Sequence, residues 1–338
     1  MLSLHRNICL YIASAIALTT DSSKNYKTAF STFPVSAVFA DTIINNNIVF
    51  GEYSDPIVTS DTPSCIIPFS RAGNLILIRA KVDTTEGNFI LDTGAPKLIL
   101  NMTYFRHYLS TTEEIESGGI TGAMVANPTM VETLSFGPIK YHRAEADRVN
   151  LGHIENSKGI KILGLLGMQL FKRFEMIIDY EKSLIYLHLI HKKEVSTYKS
   201  EMLNDTSSYR TFPINIMDDK LLTYGVIAGK KLTFIIDTGA ESNVLDSRLP
   251  NKIFEQVSIT RRIMLSGSGD QKVEALYGNM NNMKLGNFDL GILPVLVTNL
   301  ERMCFSYDQC LDGMLGFDFL SLHKIGFNFV TRKMYIWK

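Results

Sequence analysis

From residue 66 onward the chain is a succession of short aliphatic and β-branched runs separated by polar, Gly-containing turns, and few stretches carry the 3.6-residue periodicity of an amphipathic helix. Leu75-Ile76-Leu77-Ile78-Arg79-Ala80-Lys81-Val82 leads into the turn-like Asp83-Thr84-Thr85-Glu86-Gly87-Asn88 and then Phe89-Ile90-Leu91. Later, Leu221-Leu222-Thr223-Tyr224-Gly225-Val226-Ile227-Ala228 leads through Gly229-Lys230-Lys231 into Phe234-Ile235-Ile236. Each pattern predicts a β-hairpin. Short helices are expected around Met102–Leu109, Pro250–Gln256, Met168–Phe171 and Phe317–Leu320. The chain therefore reads as mostly β with few short helices.

The two hairpins end alike. The first runs into Asp92-Thr93-Gly94-Ala95 and the second into Asp237-Thr238-Gly239-Ala240. Downstream of each lies an apolar-apolar-Gly element, Gly164-Leu165-Leu166-Gly167 and Gly313-Met314-Leu315-Gly316, at intervals of 164 − 92 = 72 and 313 − 237 = 76 residues. Apolar tails follow both, around Ile177-Ile178 with Leu184–Leu187 and around Ile325–Phe329 with Met334–Trp337. These landmarks, in one order and twice, describe an internal duplication with an offset of 237 − 92 = 145 residues. Two copies predict two lobes about a pseudo-two-fold axis, as in a symmetric dimer whose subunits are fused. The polar stretch His191–Arg210 separates them, which gives an N-terminal lobe at 65–200 and a C-terminal lobe at 201–338.

A lone Asp-Thr-Gly is ordinary strand-to-turn chemistry. A pair in matching surroundings offers two carboxyls that can meet. Carboxylates about 3 Å apart cannot both ionise, so they hold one proton and one charge between them, an acid and a base in one site. The titration belongs to the pair, and Asp92 and Asp237 receive no separate roles. Gly94 and Gly239 permit tight turns and close backbone approach beside the carboxyls.

The hydrophobic-Asp-Thr-Gly-Ala motifs with their later apolar-apolar-Gly elements resemble those of aspartic peptidases, and most closely a retropepsin-like domain present twice in one polypeptide, over roughly Ile66 to Lys338. The resemblance implies two acid-protease-type β-barrel lobes. It implies that the segment after each Asp-Thr-Gly crosses under the apolar-apolar-Gly element in a ψ-shaped arrangement, and that Thr93 and Thr238 point inward and hydrogen-bond across the lobes. The activity it implies is endopeptidase cleavage with Asp92 and Asp237 activating water, supported by Thr93, Gly94, Thr238 and Gly239. A silent fold that binds a peptide or protein is the alternative. Ala95 and Ala240 stand where pepsin-type enzymes usually carry Ser or Thr. Without that hydroxyl to stabilise the ionised pair, the pH optimum is expected to be less acidic than in pepsin-like enzymes. Gly118, Gly119 and Ile120, within Ser117–Ala123, resemble a Gly-rich flap tip; Gly267, Ser268 and Gly269 are the candidates in the second lobe. Neither tip contains a Tyr. An extended peptide or protein substrate would bind by main-chain hydrogen bonds with side chains alternating into pockets.

Length and composition add limits. With 338 residues, 46% hydrophobic, the chain can build two cores, and its zero formal net charge gives no reason to expect nucleic acid or an anionic membrane as partner. Arg6 followed by the apolar Ile8–Leu18 reads as a secretory signal at residues 1–20, too short to remain as a stable span, and the protein is expected to be periplasmic or secreted. Residues 21–64 fit a disordered leader, extra strands or a propeptide alike. In an exported chain Cys304 and Cys310, which bracket Phe305–Gln309, are placed to close a small disulfide loop, with two buried free thiols as the alternative; Cys65 is then unpaired and buried. Asn101-Met102-Thr103 and Asn204-Asp205-Thr206 are glycosylation sequons, relevant only in a eukaryotic secretory pathway.

Other chemistries find little purchase. His188 and His191 are read as exposed strand-end residues, no His-Glu-x-x-His or Gly-x-Ser-x-Gly is present, and Gly229-Lys230-Lys231 lacks the Ser or Thr of a phosphate loop. No metal and no cofactor is expected, and since one chain supplies both carboxyls, a monomer is.

Overall fold

The computed structural model describes residues 55–110, 115–119, 122–265, 273–304 and 310–338. They are mostly β, with three short α-helices among the described residues, Gly152–Lys158, Asn251–Phe254 and Phe317–Leu320. Two similar lobes are built around the predicted hairpins. In the first, Leu75–Val82 pairs antiparallel with Thr85–Asp92; in the second, Lys220–Ile227 pairs antiparallel with Lys230–Ile236. The first turn is tighter than expected, because Asp83 takes a left-handed φ of 50° and the strand resumes at Thr85. Gly87, read as a turn residue, lies inside that strand instead, where a Cβ would stand 2.6 Å from Leu163 Cδ1.

Six strands of the N-terminal lobe close into a barrel. Ile139–Val149 pairs in parallel with Leu98–Asn101, which pairs with Gly164–Gly167, and so on through Thr85–Asp92, Leu75–Val82 and Gly122–Phe136 back to Ile139–Val149. The C-terminal lobe traces the same ring, but the equivalents of its two long strands are each interrupted. Val273–Met280 is followed by Lys284–Leu285, and Phe288–Asp289 by Leu293–Thr298. Asn282 (φ 59°) and Gly291 (φ 70°) occupy the interruptions.

The apolar-apolar-Gly elements are buried strands laid parallel to the strands that carry the aspartates. Gly164↔Phe89 through Gly167↔Asp92 form one register, and Phe234↔Gly313 through Ile236↔Leu315 the other. The segment after each Asp-Thr-Gly turn, Leu98–Asn101 or Asn243–Asp246, returns antiparallel against the same element. Such crossing needs glycine: a Cβ on Gly164 or Gly313 would lie 2.8 or 2.6 Å from the ring of Phe89 or Phe234. Those rings are wholly buried, and truncating either to Ala would cost about 3–5 kcal/mol.

The tails combine into one six-stranded sheet shared by both lobes, in the order Tyr209–Pro213, Lys333–Trp337, Ile325–Asn328, Phe174–Asp179, Leu184–Leu189, Ser64–Pro68. Its centre is an inter-lobe pairing, Glu175↔Asn328 through Ile178↔Ile325. Its edges are pseudo-equivalents, since 64 + 145 = 209 and 68 + 145 = 213. Both edge strands end in proline, which suits an edge that must not recruit a further strand.

Several expectations need correction. Residues 102–109 form successive turns rather than a helix, because Phe105 is drawn into the core and the Tyr108 hydroxyl bonds Asp83. Within 21–64, a stretch that fits a leader, extra strands or a propeptide alike, Ile57–Val58 pairs with Ile139–Lys140, and Asp55 pairs with Arg173 at 2.6 Å. Asn101 cannot carry a glycan in the folded chain, being buried with its amide donating to Ile162 O at 2.9 Å. Cys65 is half-buried. His188 is largely covered, between Ser64 Oγ at 2.8 Å and Glu194 Oε1 at 3.3 Å and stacked on Tyr198.

Candidate active site

Asp92 ends its strand and Asp237 follows directly on Lys230–Ile236, so both carboxyls emerge where a strand breaks into a tight turn. Each turn satisfies its own aspartate from the backbone. Gly94 N and Ala95 N donate to Asp92 Oδ1 at 2.9 and 3.0 Å, and Gly239 N donates to Asp237 Oδ1 at 2.7 Å. The turn is locked from below by the Gly element of its own lobe: Met168 N donates to Ala95 O, and Phe317 N to Ala240 O, both at 2.8 Å.

The two turns clasp each other. Thr93 Oγ1 accepts from Thr238 N at 3.0 Å and donates to Ile236 O at 2.9 Å. Thr238 Oγ1 accepts from Thr93 N at 3.0 Å and donates to Leu91 O at 2.8 Å. Both hydroxyls are buried and use their donor and an acceptor, the condition under which a buried polar network specifies geometry rather than destabilising it. Each glycine then lies against the opposite carboxyl: a Cβ on Gly94 would stand 2.5 Å from Asp237 Cγ, and one on Gly239 would stand 2.6 Å from Asp92 Cγ.

Asp92 and Asp237 are fully buried and within hydrogen-bonding reach of one another. Burial, and next the charge of Asp237, push Asp92 well above the usual carboxylate range, against the backbone amides of Ala95 and Gly94. Burial also raises Asp237, to about 6, against the amide of Gly239, its contact with Asp92 and further backbone amides. One proton shared by the pair is the consequence. Among the described residues, neither Asp92 Oδ2 nor Asp237 Oδ2 has a hydrogen-bond partner. Two buried acceptors side by side are tolerable only with a proton between them or a donor brought to them. Ala95 and Ala240 are buried and add no hydroxyl.

Other residues at the site escaped sequence reasoning. Glu241, directly after the second motif, is buried and ion-paired with Lys158 at the end of the N-terminal lobe's helix, and its Oε2 and backbone O accept from Asn74. On the other flank Asp219 pairs with Lys172 and accepts from Gln169 Nε2 at 2.7 Å. A carboxylate directly after the second Asp-Thr-Gly-Ala, where the first copy has Pro96, was the available signal for Glu241.

Gly118 and Gly119 sit on Ile115–Gly119, which pairs with Gly122–Phe136 in a hairpin (Gly118↔Ala123, Gly119↔Gly122). Ile120 lies outside the described residues, as do Gly267, Ser268 and Gly269. The strands Val257–Leu265 and Val273–Met280 that flank those three pair antiparallel up to Leu265↔Val273. Cys304 and Cys310 are joined as a disulfide. Among the described residues no His, Cys, Asp and Glu cluster could hold a metal ion, and no helix is long and apolar enough to cross a membrane.

A family profile described as Aspartyl protease matches the chain twice, over residues 78–170 and 223–319. The starts differ by 223 − 78 = 145, the offset of the two aspartates. Comparison with curated proteins finds no match. The two matches cover more than half of the chain, which belongs to the aspartyl protease family as two fused retropepsin-like domains.

Proposed function

We propose that the protein is an aspartic endopeptidase in which Asp92 and Asp237 hydrolyse peptide bonds by general acid–base activation of water. The observation that carries this reading is the pair of buried carboxyls within hydrogen-bonding reach of one another, each anchored through Oδ1 to its own turn, with both Oδ2 atoms unpartnered among the described residues. In the singly protonated pair, the ionised carboxyl takes a proton from water as the water oxygen bonds to the peptide carbonyl carbon. The protonated carboxyl gives its proton to the carbonyl oxygen. The resulting gem-diol collapses as the C–N bond breaks: the protonated carboxyl gives its proton to the leaving nitrogen while the ionised one takes a proton from a gem-diol hydroxyl, so the pair again holds one proton. No residue is covalently modified. The titration is a property of the pair, so neither aspartate is assigned as sole acid or base.

Both carboxyls are buried, so an extended peptide reaches them when the hairpin of Ile115–Gly119 and Gly122–Phe136, which bears Gly118 and Gly119, opens as a lid. One chain supplies both aspartates, and a monomer suffices. Export with removal of residues 1–20, to the periplasm or outside the cell, completes the proposal. The Cys304–Cys310 disulfide supports it, because such bonds persist in oxidising compartments, and N-terminal sequencing of the mature protein tests it.

The activity is tested with purified protein against a peptide library, with and without a statine-type transition-state mimic. Cleavage that the mimic blocks supports the enzyme. Absence of cleavage together with indifference to the mimic favours a silent peptide-binding module instead.

A further inference from the structure

The six-stranded sheet joins the lobes through the pairing of Phe174–Asp179 with Ile325–Asn328, while the carboxyls stand at the ends of two other strands, Thr85–Asp92 and Lys230–Ile236. A hydrogen bond between carboxyls holds only over about 2.5–3.0 Å, so a slip of one lobe against the other by about 1 Å would end proton sharing. The Thr93–Thr238 clasp resists that slip at the centre. Two polar straps resist it on the flanks, and they are pseudo-equivalent, since 74 + 145 = 219.

On one flank, the turn Gly73-Asn74 (Gly73 φ 62°) reaches from the N-terminal lobe to Glu241, four residues after Asp237. Asn74 N donates to Glu241 Oε2 at 3.2 Å, Asn74 Nδ2 donates to Glu241 O at 3.3 Å, and Lys158 closes the ion pair, with side-chain exposures of only 10% and 9% for Lys158 and Glu241. On the other flank the matching turn Asp218-Asp219 (φ 47° and 59°) reaches back from the C-terminal lobe. Asp219 takes Gln169 Nε2 and the Lys172 ammonium, and Gln169 N donates at 2.9 Å to the carbonyl of Pro96, four residues after Asp92. Each strap thus ends on the residue four beyond an active-site aspartate. In both, the N-terminal lobe supplies the lysine and the C-terminal lobe the carboxylate.

We propose that Glu241, with Lys158 and Asn74, and Asp219, with Gln169 and Lys172, are positioning residues that hold the two Asp-Thr-Gly turns at proton-sharing distance. The chemistry rests on the aspartic-peptidase reading; the geometry does not. Replacing both members of a buried pair avoids leaving one charge uncompensated, so the test uses Lys158→Met/Glu241→Met and, separately, Lys172→Met/Asp219→Asn in the full chain. Folding is checked by near-UV circular dichroism. The first pair is expected to lower kcat about ten- to a hundredfold, as a misplacement of about 1 Å can, with KM changed less than about threefold. Lys158→Arg/Glu241→Asp, which keeps the ion pair, is expected to stay within about threefold of the parent kcat. Independently of cleavage, carboxyl carbon NMR of the parent is expected to show the pair titrating in two well-separated steps that draw together in both strap variants. A folded strap variant with unchanged kcat and unchanged separation of the two steps would overturn the proposal. If the parent cleaves nothing, the peptidase reading fails and the carboxyl titration alone decides this one: steps that draw together support it, and steps that stay apart end it.

Discussion

Gly94 of the first lobe lies directly against the carboxyl of Asp237 in the second, with room for a Cβ only at 2.5 Å from Asp237 Cγ. Real carbon atoms do not approach that closely, so alanine at this position must push the carboxyl away from its partner. Gly94→Ala is expected to abolish detectable cleavage while leaving the β-rich circular dichroism spectrum unchanged, and Gly239→Ala, facing Asp92, is expected to match it. Retained activity in either variant would show that the carboxyls need not touch.

The threonine clasp makes a second prediction. Thr93→Val keeps the shape of the side chain but leaves Thr238 N and Ile236 O, both buried, without their partner. An orphaned buried group costs about 1–3 kcal/mol, so with two of them the variant should lose about 2–6 kcal/mol in urea unfolding. Thr93→Ser, which retains the hydroxyl, should lose much less. Equal losses would assign the effect to packing rather than to hydrogen bonding.

Much of this was legible in the chain because the duplication repeats local chemistry. The hairpins, the Asp-Thr-Gly turns and the buried Gly elements are each written in contiguous residues, and the 145-residue offset ties them together. The shared six-stranded sheet was less legible, since Phe174–Asp179 meets Ile325–Asn328 only once the lobes associate. The straps were not legible at all. Asn74, Lys158 and Glu241 are scattered along the chain and acquire meaning only from a contact between lobes. The expected helix at 102–109 failed for a related reason: Phe105 and Tyr108 answer to the core and to Asp83 rather than to local propensity.

The pH profile should reflect Ala95 and Ala240. The proposed mechanism requires one proton on the pair, so the rate is expected to fall at low pH, where both carboxyls are protonated, and at high pH, where the last proton leaves. Ala95→Ser or Ala240→Ser places a hydroxyl donor beside the ionised form, which favours that form. Both limbs are expected to move to lower pH, as kcat/KM profiles would record. A shift to higher pH would contradict the assigned electrostatics.

Stability should carry the same signature with a definite sign. Burial raises Asp237 to about 6, so the folded chain binds more protons than the unfolded chain between the ordinary Asp value of about 3.9 and that level. This contribution is fully present below the window and is lost as pH rises through it. Asp237→Asn removes the buried charge and is expected to stabilise the fold at pH 7 by on the order of 1–3 kcal/mol, with little gain at pH 3. Chemical denaturation at both values measures it.

Cleavage of one peptide substrate by the parent chain, Asp92→Asn and Asp237→Asn, each shown to be folded, tests the central claim most directly. The two carboxyls acting as one unit predict that either single substitution removes turnover to the limit of detection. Substantial turnover in either variant would place the chemistry elsewhere in the molecule.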